Sequence, residues 1–346
     1  MTVSQSNTNL ATDVAIIGAG PVGLFAVFEL GMLKMQSIVI DALPAVGGQC
    51  TALYPEKPIY DIPGFPTVDA ADLISQLSAQ AAPFSPRYVL GEQVVKLSKL
   101  ETGDWRLETN KGTTITARAI LIAAGCGAFG PNRPPLAGIE QYEGTSVHYM
   151  VARREDFRDQ TLVIAGGGDS AVDWAVSLAE LARKIYVVHR RDKFRAMPET
   201  VDKMQALAAS GNIEMVIPYQ LEGLVPAAQG EGKLAAVTVK HMDGSIRTLE
   251  AQHLLAFFGL SMELGPIADW GLGLAMNHIT VVPGTCATNV PGIYAIGDIA
   301  TYPHKLKLIL CGFSEAAQAA HAIHHHIHPD VALHFEYSTS KGVPGA

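Results

Sequence analysis

The chain is poor in the features that mark many other functions. It has only four cysteines in 346 residues, Cys50, Cys126, Cys286 and Cys311, and no two are close in sequence. That spacing spells neither a C-x-x-C redox pair nor a zinc clamp, and the expectation is reduced thiols in a cytoplasmic protein. No run is long and apolar enough to span a bilayer, so no membrane partner is expected. The first twelve residues are polar and lack the apolar core of a secretory leader. Positive charge is also in deficit. The formal net charge is −8, which disfavours nucleic acid and makes any acidic protein partner depend on a local basic patch.

What is present is glycine at fixed spacing. Val14 to Ile17 read as a buried parallel strand, and Gly18, Gly20, Pro21 and Gly23 follow in G-x-G-x-x-G order before a helical pattern at Leu24, Val27 and Phe28. Gly18 makes the tight turn, Gly20 admits backbone to a pyrophosphate, and Gly23 lets helix pack on strand. The helix N-terminus offers unpaired N–H groups to that anion. A second strand, residues 37–40, ends at Asp41, 23 residues after Gly18. A carboxylate there accepts from an adenosine ribose and repels a 2′-phosphate.

The pattern recurs. Residues 161–165 read as a strand, Gly166, Gly168, Asp169 and Ser170 belong to a G-x-G-x-x-A turn, and a helix is expected over 172–182. The next strand, 184–188, ends at His189, again 23 residues after the first motif glycine. Here His189, Arg190, Arg191, Lys193 and Arg195 replace the carboxylate, and guanidiniums favour a 2′-phosphate. A solvated basic segment is the competing explanation. The first site is therefore expected to take FAD and the second NADP(H). With 48% hydrophobic residues the chain can build two cores of ordinary size. The expected fold is α/β, with two Rossmann-like nucleotide-binding domains, each carrying a β-meander. Strands are expected near 88–97, 105–109 and 113–122, and a second meander over 214–258. An amphipathic helix is expected over 69–82, with Asp69 as its N-cap.

Two further segments point to a ligand. Gly47-Gly48-Gln49-Cys50 leads into residues 54–66, where four prolines forbid a helix. Gln49 can pair with a heteroaromatic ring and Tyr54 can lie against one, although tyrosines packed in a surface loop would look the same. Residues 288–298 read as a buried strand delivering Asp298 to a helix start, where a carboxylate suits ribityl hydroxyls. The first domain is thus completed from the C-terminal end: 1–126 with 258–346 for FAD, and 127–257 inserted for NADP(H). Crossovers at 125–134 and 258–266 are hinge candidates. His321, His324, His325, His326 and His328 resemble a metal cluster, but histidine also suits a helix C-terminus.

Together these motifs resemble the thioredoxin reductase structural family. Its dithiol members carry a cysteine pair just before the second glycine motif, where this chain has Tyr149-Met150-Val151-Ala152. The chain is instead similar to the thioredoxin reductase-like ferredoxin (flavodoxin)–NADP+ reductases, through Tyr54-Pro55-Glu56-Lys57, Gly127-Ala128-Phe129, His189-Arg190-Arg191-Asp192 and Ser338-Thr339-Ser340. The resemblance implies FAD contacts at Asp41, Gln49, Tyr54, Val94, Phe129, Asp298 and Thr339, and Gly48, beside Gln49, is expected at the same site. It places Tyr54 and Tyr337 on opposite faces of the isoalloxazine; with both faces occupied, Tyr337 is expected to move for the nicotinamide to stack on the flavin. It also implies a homodimer. With no dithiol, the expected acceptor is an external one-electron carrier, ferredoxin or flavodoxin, and no catalytic acid or base is assigned. The alternatives are a reductase of a separate disulfide carrier or a quinone, and a flavin-based redox sensor. Lys305, Lys307, Arg153 and Arg154 are candidates for a docking patch.

Overall fold

A computed structural model describes residues 8–331 and Gly342, the side chains of 128–131 and 260–262 excepted. The chain divides into two compact units, one of Met1–Phe129 with Met262–Ala346 and one of Gly130–Ser261.

In the first unit the strand Asn9–Ile17 lies at the middle of a seven-stranded sheet. Ser37–Asp41 pairs parallel on one side of it and Thr114–Ile122 parallel on the other. The chain thus leaves the central strand toward opposite edges, which opens a crevice at its carboxyl end. Alternation distributes its side chains: Ala15 and Ile17 enter one core, Val14 and Ile16 the other. The helix Pro21–Met32 covers the second face and packs on Ile309–Ile327, where Ala316, Ala319 and Ala320 are buried and keep the side chains short. A Cβ on Gly312 would lie 2.4 Å from Val22, so this approach of the two helices requires glycine.

The single strand expected near 88–97 is two. Arg87–Leu90 joins the parallel sheet beside Ser37–Asp41, whereas Val94–Lys99 pairs antiparallel with Trp105–Thr109. Gly91, at φ +70°, turns the chain between them. The expected helix over 69–82 spans Ala70–Ala81, and Asp69 precedes it without a side-chain capping bond. Between residues 54 and 69 the prolines leave only the paired two-residue strands Pro58–Ile59 and Val68–Asp69.

The second unit has a five-stranded parallel sheet, ordered Val147–His148, His253–Ala256, Thr161–Ala165, Lys184–Val188, Ile213–Val216. The expected meander is shorter than its sequence span, because both ends of that span joined the parallel sheet. Tyr219–Pro226, Leu234–His241 and Ile246–Glu250 form the antiparallel part. The helix after the second glycine motif is Asp169–Leu178, starting three residues before the expected Val172. Among the described residues no helix is long and apolar enough to cross a membrane.

Candidate functional site

A cleft of about 350 Å³ opens at the carboxyl ends of the first unit's central strands. Its floor is the first glycine loop, and there the three glycines differ. Gly18 has φ +112°, and a Cβ on it would lie 2.3 Å from the Ala123 carbonyl oxygen. A Cβ on Gly23 would lie 2.0 Å from the Gly18 carbonyl oxygen. Both are closed off by protein. A Cβ on Gly20 would meet nothing within 4 Å, and Gly20 lines the cleft. The loop backbone at Gly20 is therefore open to the cleft, which fits a pyrophosphate cradle. Gly20 and Pro21 begin the helix Pro21–Met32 with no side-chain cap and no acidic residue in the first turn, so no side chain of the helix itself offsets its positive end.

Asp41 stands at one side of this floor. Its carboxylate accepts the Ala19 N–H at 2.6 Å and the Leu43 N–H at 2.8 Å, one through each oxygen. Each oxygen keeps a second lone pair for a sugar hydroxyl. Burial pushes the Asp41 carboxyl above its usual range, and the two backbone N–H groups oppose that shift. Gly47 donates to the Ala19 carbonyl at 2.8 Å, which brings Gly48, Gln49 and Cys50 to the same loop. Tyr54 also lines the cleft, with its hydroxyl 4.0 Å from the Cys50 sulfur and the Lys57 ammonium 5.8 Å from its ring centroid. Burial pushes the Cys50 thiol up to about 11 and raises Tyr54 as well, so both are neutral near pH 7.

Asp298 enters from the far end of the chain. The strand Ile293–Ala295 adds to the sheet beside Thr114–Ile122, and Asp298 follows in the 3-10 turn Gly297–Ile299. This corrects the expected helix start, because the long helix begins only at Ile309. Val94 is a wall residue at the start of its strand. Phe129 falls in the strand Ala128–Pro131 with its side chain outside the described residues, and Tyr337 and Thr339 also lie outside them.

Further lining residues carried no signal in the sequence: Glu92, Gln93, Pro266, Ile267 and Trp270. Glu92 and Gln93 sit in the break between two strands that the apolar pattern had merged. The residues at 266–270 arrive through the 3-10 turn Gly265–Asp269.

The second glycine loop repeats the same logic. A Cβ on Gly166 would lie 2.6 Å from the Phe257 carbonyl oxygen, whereas one on Gly168 would meet nothing within 4 Å. The Asp169 carboxylate, at the helix start, accepts the Met197 N–H at 3.0 Å, and Ser170 is the next helical residue. The His189 ring lies against Gly167, where a Cβ would be 2.1 Å away, and leans on Phe194 at 5.0 Å. The Arg195 N–H donates to the Gly167 carbonyl at 2.7 Å. This fastens the basic segment to the glycine loop. Arg190, Arg191 and Arg195 are exposed; burial first, and then the charges of these arginines, hold His189 below its usual pKa.

Two docking candidates change character. The Lys305 side chain is 5% exposed and paired with Glu315, so it is not a surface cation. Arg154 donates to the Ser177 carbonyl at 2.5 Å within its own unit. His321 to His326 lie in the last turns of Ile309–Ile327, with His328 as its C-cap, and among the described residues no group of three potential ligands converges on a metal position.

A family model described as pyridine nucleotide-disulphide oxidoreductase matches residues 12–325. The chain is 62% identical over 335 residues to a ferredoxin–NADP reductase of Granulibacter bethesdensis, covering 96% of this chain and 95% of that one. It is 58% identical over 346 residues to a ferredoxin–NADP reductase of Rhodospirillum rubrum, covering 99% of each. In fold it resembles the thioredoxin reductase of Lactococcus lactis, with a TM-score of 0.78 at 23% identity over 91% of this chain and 99% of that one.

Proposed function

We propose that this chain, which belongs to the pyridine nucleotide-disulphide oxidoreductase family and within it to the ferredoxin–NADP reductases, carries electrons from NADPH through FAD to ferredoxin. The observation that carries the reading is the paired geometry of the two glycine loops. Each leaves one glycine open and closes the others, and opposite charges stand beside them: Asp41 at the first and the arginines at the second.

In this reading the first unit holds FAD. Gly20 and the helix start at Pro21 face its pyrophosphate, Asp41 its adenosine ribose and Asp298 its ribityl chain. Gln49 and Tyr54 hold the ring, and Val94, Phe129, Thr339 and Tyr337 complete the contacts that the resemblance implies. The second unit holds NADPH through Gly166, Gly168, Asp169 and Ser170 at the pyrophosphate. His189, Arg190, Arg191 and Arg195 take the 2′-phosphate. When bound, FAD supplies the conversion between two-electron and one-electron transfer that no side chain provides. The protein's part is placement and charge. Cys50 and Tyr54 remain neutral, so neither sets an anion against the ring. No two cysteines stand close in sequence to relay electrons as a dithiol. Flavodoxin is a second acceptor of the same one-electron kind, and a cytoplasmic homodimer is the proposed working form.

An anaerobic titration tests the reading. One equivalent of NADPH should bleach the visible absorbance of the purified protein, and oxidised ferredoxin should restore it. A colourless protein that takes up no FAD, or a bleached one that ferredoxin leaves unchanged, would contradict it.

A further inference from the structure

Behind the cleft wall lies a charged group that the proposed chemistry does not use. Glu315, on the helix Ile309–Ile327, is 3% exposed. Both oxygens of its carboxylate are engaged. One oxygen accepts the Gly297 N–H at 2.7 Å. The other accepts the Tyr302 hydroxyl at 2.7 Å and the ammonium of Lys305. That ammonium also lies 5.3 Å from the centroid of the Tyr302 ring. Gly297 has φ +72°, and the next residue, Asp298, is the one that enters the cleft.

A buried ion pair is a poor device for stability, since desolvation offsets most of the attraction. What it does well is impose one geometry, because each buried donor must keep its acceptor. Here the imposed geometry is that of the 3-10 turn Gly297–Ile299. The other side of the turn is closed by Val22, whose side chain would lie 3.6 Å from a Cβ on Gly297 and which itself lines the cleft. The turn is therefore held between the first helix's opening turn and the Glu315 carboxylate.

We propose, resting on the reading of the first unit as the FAD site, that Glu315 is a positioning residue for Asp298: by fixing the Gly297 N–H and the Lys305 ammonium it aims the Asp298 carboxylate into the cleft. Burial pushes the Asp298 carboxyl up and the Glu315 charge adds to this, while Lys305, followed by Lys307, opposes it; Glu315 therefore acts on Asp298 through the turn and the lysine, not by its own field. Losing Glu315 would free both the turn and the lysine.

A double-mutant cycle on FAD affinity tests this. FAD binding to the apoprotein is followed by quenching of flavin fluorescence in wild type, Glu315→Ala, Asp298→Ala and the double variant. Glu315→Ala should weaken FAD by about tenfold or more, the range for a charge-assisted contact. In the Asp298→Ala background the same change should matter less than about twofold, because the group being aimed is gone. Equal weakening in both backgrounds would overturn the proposal. So would an unchanged FAD affinity with a lowered apoprotein melting temperature, which is the signature of a purely structural role. Should Glu315→Ala fail to fold, Glu315→Gln run through the same cycle decides by the same criterion. Wild-type apoprotein that binds no FAD would instead defeat the reading of the first unit.

Discussion

The Asp41 carboxylate receives the N–H of Ala19 at 2.6 Å, across 22 residues of sequence. Ala19 sits inside the first glycine loop, so one side chain both shapes the loop and faces the cleft. Asp41→Ala should release the Ala19 and Leu43 N–H groups at once. The expected cost is about 1–3 kcal/mol of stability from the orphaned donors. FAD affinity, read by fluorescence quenching, should fall by about tenfold or more. Affinity within about twofold of wild type would remove Asp41 from the site.

The glycines of the first loop should separate into two kinds. Gly23→Ala drives a Cβ to 2.0 Å from a backbone oxygen and should lower the apoprotein melting temperature. Gly20→Ala meets no protein atom, so the apoprotein should melt nearly as wild type while FAD affinity drops. Thermal melts with and without added FAD distinguish the two. Identical behaviour of both variants would contradict the assignment of Gly20 to the ligand.

Arg190→Ala combined with Arg195→Ala should raise the NADPH KM far more than the NADH KM. Each charge-assisted contact contributes about 1.5–3 kcal/mol, roughly ten- to a hundredfold in affinity. Steady-state kinetics with both nucleotides check this. Equal effects on the two would show that the arginines do not read the 2′-phosphate.

A pH dependence of stability is built into the second unit. His148 Nε2 and His253 Nδ1 are 3.0 Å apart, with the Phe157 ring edge-on to both. Burial lowers both histidines, and each also lies within reach of Asp156, which opposes the shift. His253 is pushed down to about 4 from the 6.5 of a free imidazole. The unfolded chain therefore binds more protons in that window. The contribution is present above about pH 6.5 and is lost as pH falls through about 4. Melting temperatures measured across that range should drop more steeply for wild type than for His253→Gln. Parallel curves would show that the pair does not titrate in this way.

Much of the architecture was legible because two signals overlap in it. Continuous apolar strands such as Val14 to Ile17 mark parallel sheets, and glycines at fixed spacing mark the turns beside a phosphate. Gly18 and Gly23 are closed in by backbone oxygens, as a tight turn and close helix packing require. Other features depend on distant contacts. The apolar run from Tyr88 to Leu97 looks like one strand, and only the packing of its two halves on different neighbours divides it at Gly91. Lys305 looks like a surface lysine because its partner, Glu315, is ten residues away on a different element. Trp270 reaches the cleft through a turn that has no local pattern of its own.

The central claim is that reducing equivalents leave this protein singly, to another protein, without passing through a thiol pair. The most direct measurement is NADPH oxidation by the FAD-loaded protein with ferredoxin or thioredoxin as the sole acceptor. Rapid turnover with ferredoxin and none above background with thioredoxin is the predicted result. Turnover with thioredoxin but not with ferredoxin would contradict the account.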